Sequence, residues 1–334
     1  MEILVTGGNG FLGHQLISAL QQRDNQVRAL VLPEEQTAWL EQHDVSVYRG
    51  NVCEPDSLIE PMRGVSKVFN LAGMMGAWLP MHEYRAVNLV GTENVCRAAL
   101  AAGVERLVHV SSWTVYGTGL KYPAGEDAPF APFYEPYAVT KTEGERAVWR
   151  FIEREQLPAT ILRPDTFFGP GDRLHFNRMA AKVRGGSAIV VGSGRNILPF
   201  VYVTDVAHGL ILAGDNPQAV GRAYNIANDR PFTQGEMWRA IADELGVQPP
   251  RIHVPYAALY VAATLIERAA ILARAKKQPI ITRLGVRVFG DNNPHSMEKE
   301  RRELGYVPQV SLREGVRLAA AAFRQQPTPL PIAA

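Results

Sequence analysis

The 334-residue chain has only two cysteines, Cys53 and Cys96. They show no metal-ligand spacing and are too few for a disulfide framework, so no metal site is expected and a reducing, cytoplasmic setting is predicted. An excess of one charge is also missing. The 35 basic and 33 acidic residues leave a formal net charge of +2, with no long single-sign block, so nothing demands nucleic acid or an anionic surface. Long apolar runs are absent too. The most apolar stretch, Tyr256–Ala273, is broken by Glu267-Arg268 and followed by Arg274, Lys276 and Lys277. Its uninterrupted part, Val254 to Ile266, is too short for a bilayer span. It reads either as a helix of a substrate-binding region or as an interfacial helix that dips into lipid or lines an apolar cleft. A strand pattern begins at residue 2, so no signal peptide is expected.

What is present starts with Ile3-Leu4-Val5-Thr6-Gly7-Gly8-Asn9-Gly10-Phe11-Leu12-Gly13. A short apolar run stops at glycines spaced G-x-x-G-x-x-G, and a helix-compatible segment follows. Glycines let the backbone approach a ligand closely, and the free amides of a first helical turn favour an anion. The motif gains weight from a strand before it, a helix after it and an α/β repeat around it.

That repeat is present. Candidate strands Glu2–Thr6, Gln26–Val31, Val45–Arg49, Lys67–Leu71, Arg106–Val110 and Thr160–Arg163 alternate with helical segments Phe11–Gln22, Glu34–Gln42, Asp56–Met62, Tyr84–Ala102 and Tyr137–Glu155. The pattern predicts an α/β fold: a Rossmann-type, doubly wound parallel sheet covered on both faces, with ligands at the carboxyl ends of its strands. After residue 165 the rhythm changes. Gly169-Pro170-Gly171-Asp172 is a turn cluster. Helical segments follow at Leu174–Arg184, Thr233–Leu245, Tyr256–Ala273, Ser296–Leu304 and Leu312–Arg324, with strand-like Phe200–Val203 and Gly221–Ala227 among them. Thr204-Asp205 reads as a helix cap. Residues 1–168 are expected to form the dinucleotide-binding domain, with 198–227 supplying late strands and a helix. Residues 169–330 should form a smaller, mostly helical substrate-binding portion. The Pro-rich tail from Gln325 is expected to fray.

The chemistry sits at Tyr137-Ala138-Val139-Thr140-Lys141, the only Y-x-x-x-K in the chain. At a helix start, positions i and i+4 share a face. Ketone reduction needs a proton as hydride arrives. A free phenol, with pKa about 10, is a poor base near neutrality, and a nearby cation favours phenolate. Val108-His109-Val110-Ser111-Ser112 adds hydroxyls at a strand end, where one can hold a substrate oxygen.

Taken together these residues resemble the extended short-chain dehydrogenase/reductase family. The matching stretches are Thr6–Gly13, Asn70-Leu71-Ala72-Gly73, Asn88-Leu89-Val90-Gly91-Thr92, Val110-Ser111-Ser112-x-x-Val115-Tyr116-Gly117, Tyr137-x-x-x-Lys141, Leu162-Arg163-Pro164 and Tyr202–Ala207. The resemblance implies Ser112, rather than Ser111, as the catalytic serine beside Tyr137 and Lys141. It implies cofactor contacts at Thr6, Gly7, Gly10, Phe11, Leu12, Gly13, Asn51, Val52, Leu71, Ala72, Gly73, Asn88, Tyr137, Lys141 and Pro164, with Asn88 structural or part of a proton relay. Asn51 stands where relatives often carry an Asp touching adenine. A homodimer through Tyr84–Ala102 and Tyr137–Glu155 is implied as well. Within the family, Gly169–Asp172, Gly221–Ala227 and the segment from Ile280 to Tyr306 are most similar to the 3β-hydroxysteroid dehydrogenase group, with sterol-4α-carboxylate dehydrogenases and 3-ketoacyl-type reductases. The implied reaction joins a secondary alcohol and a ketone on an apolar substrate.

The cofactor is NAD or NADP. The second strand ends Leu30-Val31-Leu32-Pro33, with neither an acid for a ribose nor an arginine for a 2′-phosphate, and Glu34 or Glu35 is the nearest acid. The absence of a basic residue leans towards NAD. Two other functions remain to be weighed. A nucleotide-sugar epimerase or dehydratase shares fold and triad, but such dehydratases resemble T-D-E-V-Y-G where this chain has Ser112-Trp113-Thr114-Val115-Tyr116-Gly117. Sugar enzymes also tend to carry Arg-Asp where Leu198-Pro199 stand, although Arg173 and Asn177 offer other phosphate contacts. A non-catalytic dinucleotide sensor would ordinarily lose the tyrosine or lysine.

Overall fold

The computed structural model describes residues 1–76, 78–275 and 277–325. In chain order its strands are β1 (Glu2–Thr6), β2 (Gln26–Val31), β3 (Ser46–Arg49), β4 (Lys67–Asn70), β5 (Arg106–Val110), β6 (Ala159–Pro164), β7 (Thr166–Phe168), β8 (Val190–Val191), β9 (Phe200–Tyr202), β10 (Arg222–Ile226) and β11 (His253–Val254). The helices are α1 (Phe11–Gln21), α2 (Ala38–Gln42), α3 (Ile59–Met62), α4 (Met81–Arg85), α5 (Thr92–Ala102), α6 (Pro136–Glu155), α7 (Phe176–Arg184), α8 (Val203–Asp215), α9 (Gln234–Leu245), α10 (Tyr256–Leu272), α11 (Arg283–Gly290), α12 (Glu298–Leu304) and α13 (Leu312–Gln325).

Seven strands form one parallel sheet in the order β10-β6-β5-β4-β1-β2-β3. Chain progression reverses between β1 and β4, and a crevice opens there at the carboxyl ends. A buried polar ladder crosses this point. Thr6 Oγ1 donates to Asn70 Oδ1 (2.7 Å), and Asn70 Nδ2 lies 3.1 Å from His109 Nδ1. Burial holds His109 well below the usual imidazole range, so the ring is neutral.

One core joins β1, α1 and β2 (Ile3, Val5, Leu16, Ala29) to residues from far along the chain: Val203, Leu210, Tyr224, Ile226, Leu304 and Tyr306. A second core gathers Phe168, Phe176, Met179, Phe232, Trp238, Val316 and Phe323. Among the described residues, no helix is long and apolar enough to cross a membrane.

Several local expectations change. The helix expected from Glu34 starts only at Ala38, because Arg49 Nη1 binds the Pro33 and Glu35 carbonyls (2.8 and 3.0 Å) and holds that segment as a turn. Asp205 does not cap α8. Tyr202 occupies that position, and Asp205 accepts from the Gln309 and Val310 amides (2.8 and 3.2 Å), pinning the chain before α13. The segment Tyr84–Ala102 is helical but interrupted by a π-type turn, Ala86–Gly91. Strand β9 matches the strand-like Phe200–Val203, whereas helix α11, capped by Thr282, and strands β7, β8 and β11 carry no clear periodicity in sequence. Of the tail expected to fray, Gln325 closes α13 and the remainder lies outside the described residues.

Candidate active site

A single cavity of about 1400 Å³ runs along the carboxyl ends of the sheet and under the C-terminal segments. At one end Gly7, Gly10, Phe11 and Leu12 line it. Gly7 has φ +66°, in the left-handed region that favours glycine. A Cβ on Gly13 would overlap the Gly8 and Gly7 carbonyl oxygens, so only glycine lets α1 start this close to the turn. Gly10 caps α1 without any side-chain bond, and the first turn holds no acid. The amides of that turn have no intrahelical partner and stand beside the cavity, so the residues present fit the pyrophosphate of a dinucleotide. Thr6 and Ala72 sit behind the turn, where the Ala72 amide donates to Thr6 Oγ1 (3.2 Å).

At the middle of the cavity, α6 presents Tyr137 and Lys141. Pro136 stands in the first turn, and the Glu135 carboxylate caps it, accepting from the Ala138 amide (3.1 Å). Tyr137 and Lys141 therefore fall on one face, and both line the cavity. The Ser112 hydroxyl lies beside the Tyr137 phenol and favours its ionised form. Ser112 Oγ also accepts from Thr114 N and Thr114 Oγ1 (3.2 and 3.0 Å), which orients it. Burial pushes the phenol up to about 12, opposed by the Ser112 hydroxyl. Burial brings the Lys141 ammonium down to about 8, opposed by Glu145. Lys141 Nζ donates to the Val110 carbonyl (2.5 Å). The missing side chain of Gly73 leaves room beside that nitrogen, since a Cβ there would lie 3.8 Å from it.

The two serines at the end of β5 part company. Ser111 Oγ donates to Glu145 Oε2 (2.5 Å), away from the phenol. Asn88 stands in the π-type turn and does not line the cavity. Its Nδ2 donates to the Met74 carbonyl (3.1 Å) and Thr140 Oγ1 (3.0 Å), and its Oδ1 accepts from the Met74 amide (2.8 Å). It thereby ties the segment after β4 to α6. A Cβ on Gly144 would collide with the Asn88 carbonyl, so the helices meet here only because residue 144 is glycine.

Leu71 and Pro164 line the cavity, but Asn51 and Val52 do not. Asn51 Oδ1 accepts from the Cys53 amide (3.0 Å) in a local turn, and Val52 is buried beside α5, its carbonyl held by Asn94. Arg28 turns to Glu2 (2.8 Å) and the Arg63 carbonyl (2.8 Å). Neither it nor Glu34 or Glu35 reaches the cavity. Asn9, His14, Gln36 and Trp39 form this end instead, with the His14 and Trp39 rings stacked at 3.9 Å.

Sequence reasoning missed a buried network beneath Tyr137 and Lys141. Glu145 binds Arg163 Nη2 at 2.6 Å, both side chains almost wholly buried. Arg163 Nη1 reaches the Tyr116 hydroxyl (2.7 Å), which donates to Asn225 Oδ1 (2.6 Å). The signal was there: Glu145 stands four residues beyond Lys141, on the same face. The Asp165–His295 pair (2.5 Å) beside Pro164 had no such signal, because His295 arrives from a distant segment. The far end of the cavity is apolar, with Met179, Trp238, Leu259, Ile281, Leu284 and Phe289, and carries the cations Arg173, Arg178 and Lys182.

Three comparisons match this geometry. The model of the NAD dependent epimerase/dehydratase family covers residues 3–227. A 2-alkyl-3-oxoalkanoate reductase of Stenotrophomonas maltophilia is 34% identical over 96% of this chain and 99% of its own. A 3β-hydroxysteroid-dehydrogenase/decarboxylase of Arabidopsis thaliana is 30% identical over 96% of this chain and 79% of its own. Among solved structures, gox2253 superposes with a TM-score of 0.83 at 30% identity, covering 97% of this chain and 98% of that one. The family match runs from the first strand of the sheet to the last and takes in the glycine turn, Ser112, Tyr137 and Lys141. The chain therefore belongs to the NAD-dependent epimerase/dehydratase family, within the short-chain dehydrogenase/reductase fold, and is an enzyme acting on CH–OH groups.

Proposed function

We propose that this enzyme interconverts a secondary alcohol and a ketone on a bulky apolar substrate of the 3-hydroxysteroid or 3-oxo acid type. The observation that carries this reading is that Ser112, Tyr137 and Lys141 line one cavity whose far wall is apolar. Bound on the glycine turn, NAD supplies or accepts the hydride. Ser112 holds the substrate oxygen. In reduction the Tyr137 phenol gives its proton to that oxygen as the carbonyl carbon gains hydride. In oxidation the proton returns to Tyr137, and the Lys141 cation eases formation of the phenolate. Thr6, Ala72, Asn88 and Gly13 support this site from behind, while Gly7, Gly10, Phe11, Leu12, Leu71, Gly73 and Pro164 face the cofactor.

The relatives named as acting on 3-oxoalkanoates and 3β-hydroxysteroids support this substrate class. Arg173, Arg178 and Lys182 suit an acidic head group. Burial lowers the Lys182 ammonium from its usual range, and the neighbouring Arg178 lowers it further, so a bound anion would relieve both. The sugar reading is weaker here. Leu198 is buried in the second core and the Pro199 carbonyl is taken by the Thr166 amide (2.8 Å), so neither serves a diphosphate. NAD rather than NADP is favoured because no basic side chain lies among Asn9, His14 (neutral, lowered by burial), Gln36 and Trp39 at that end. Screening NAD and NADP against steroids, long-chain 3-oxo acids and UDP-sugars should give turnover with NAD and an apolar ketone or alcohol. Turnover confined to UDP-sugars would overturn the assignment.

A homodimer through α4–α5 and α6 belongs to the same proposal. Arg85–Glu143 (2.8 Å) and Arg150–Glu93 (2.9 Å) brace these helices into one face. Light scattering at micromolar concentration should return twice the chain mass, and a monomer would refute it.

A further inference from the structure

Helix α10 is held to the protein by a narrow stripe. Only Leu259, Ala263 and Glu267, four residues apart, are buried. The opposite side is apolar and open. Val261 is 58% exposed, Leu265 61%, Ile271 61% and Leu272 85%, with exposed Ala257, Ala258, Ile266 and Ala269 between them. The helix's only acid is Glu267, turned inward to accept from the Arg283 amide (2.7 Å) and Arg283 Nε (2.5 Å). The exposed cations Arg268, Arg274 and Lys277 gather towards the C-terminal end, without an acidic partner among the described residues. Directly after them, Gln278–Thr282 line the main cavity, and Ile280 does so while 79% exposed, which marks a rim.

An apolar helical face with cations at one end and a substrate mouth beside it matches one environment. We propose that α10 and the segment through Ile280 seat the enzyme peripherally on a bilayer carrying anionic lipid, with the mouth of the cavity turned to the membrane. The apolar face enters the boundary between headgroups and acyl chains. Arg268, Arg274 and Lys277 meet lipid phosphates, each strengthening binding about fivefold at low salt. A second copy of this chain is a poorer occupant, because the exposed face offers no carboxylate to answer those cations. The proposal goes beyond the redox assignment: vesicle binding is scored without turnover, so its failure leaves the roles of Tyr137 and Ser112 untouched.

The test is cosedimentation of the full chain with phosphatidylcholine vesicles, with and without phosphatidylglycerol. The wild type should pellet with phosphatidylglycerol vesicles, and more weakly as salt rises. Leu265→Glu combined with Leu272→Glu should weaken binding at least tenfold (order of magnitude for two carboxylates on an inserted face). Both sites are exposed, and an unchanged circular dichroism melt verifies the fold. In a second measurement, Leu272→Trp should show blue-shifted fluorescence on phosphatidylglycerol vesicles alone. Any of three results overturns the proposal: wild type left in the supernatant, equal binding to pure phosphatidylcholine, or a double variant that pellets like wild type. So does light scattering in which the double variant halves the particle mass, which would assign the face to a second copy.

Discussion

Tyr137→Phe should lower kcat by about a thousandfold, within the 10²–10⁴ span typical of a lost general acid–base, while the Kd for NAD changes little. The phenol is the titratable group that lies in the cavity beside both the Ser112 hydroxyl and Lys141. The ring that packs against its surroundings is retained in the variant, so the loss falls on chemistry rather than on folding. Isothermal titration with NAD and single-turnover kinetics separate the two. Unchanged turnover would sink the assignment. The pH profile adds a second reading. With the phenol raised by burial to about 12, Tyr137 carries its proton at neutral pH and is poised to donate it. Lys141, brought down by burial to about 8, is charged below that pH and neutral above it. Ketone reduction should therefore hold steady through neutral pH and decline above about pH 8, and the alkaline limb should vanish with the residual activity of Tyr137→Phe.

The second large effect is on stability. Glu145→Ala should cost about 3–5 kcal/mol, because removing one partner of a buried pair strands the other charge. Glu145 is wholly buried and accepts from Arg163 Nη2 (2.6 Å), Arg163 Nε (3.0 Å), Ser111 Oγ (2.5 Å) and Trp149 Nε1 (3.1 Å). Without it the Arg163 guanidinium keeps only the Tyr116 hydroxyl and the Glu126 carbonyl. Thermal unfolding should show a Tm lower by roughly 5–10 °C, given the few degrees per kcal/mol typical of chains this large. Combining Glu145→Ala with Arg163→Met should recover part of the loss, since no charge is then left unpaired. Glu145→Gln, which keeps the shape but not the charge, should fall between wild type and Ala. It should also shift the alkaline limb of activity to lower pH, because Glu145 is what opposes the burial of Lys141. That shift distinguishes a positioning role from a merely structural one. A Tm unchanged in Glu145→Ala would mean that water or rearrangement satisfies Arg163.

How much of this was legible beforehand follows from the range of the interactions involved. The glycine turn and the Tyr137–Lys141 pair are local devices. Their geometry depends on backbone conformation and helical repeat, so seven residues specify one and five the other. The strand–helix alternation is equally local, and all six strands expected in the first half are present. Asn51 Oδ1 accepts from the Cys53 amide two residues on, an Asx-type turn that a motif position does not foretell. The start of α2 was not legible either, because Arg49 from the neighbouring strand takes the carbonyls that a longer helix would have used.

By itself, then, the sequence determined the sheet, the glycine turn and the placing of Tyr137 and Lys141 on one helical face, since each is set by spacing along a short stretch. The resemblance had already favoured Ser112 over Ser111, and tertiary structure supplies the physical reason, because Glu145 claims Ser111 through a contact 34 residues away. It decided the apolar character of the cavity, because Trp238, Leu259, Ile281 and Phe289 come from segments that share no periodicity with the sheet and meet only through two separate clusters, Trp238 in the second core and Leu259 with Ile281 in a smaller one that Phe289 also joins. It also decided which face of α10 is open. The helix is apolar nearly all round, and packing along Leu259, Ala263 and Glu267, not sequence pattern, chooses the side that the protein leaves uncovered.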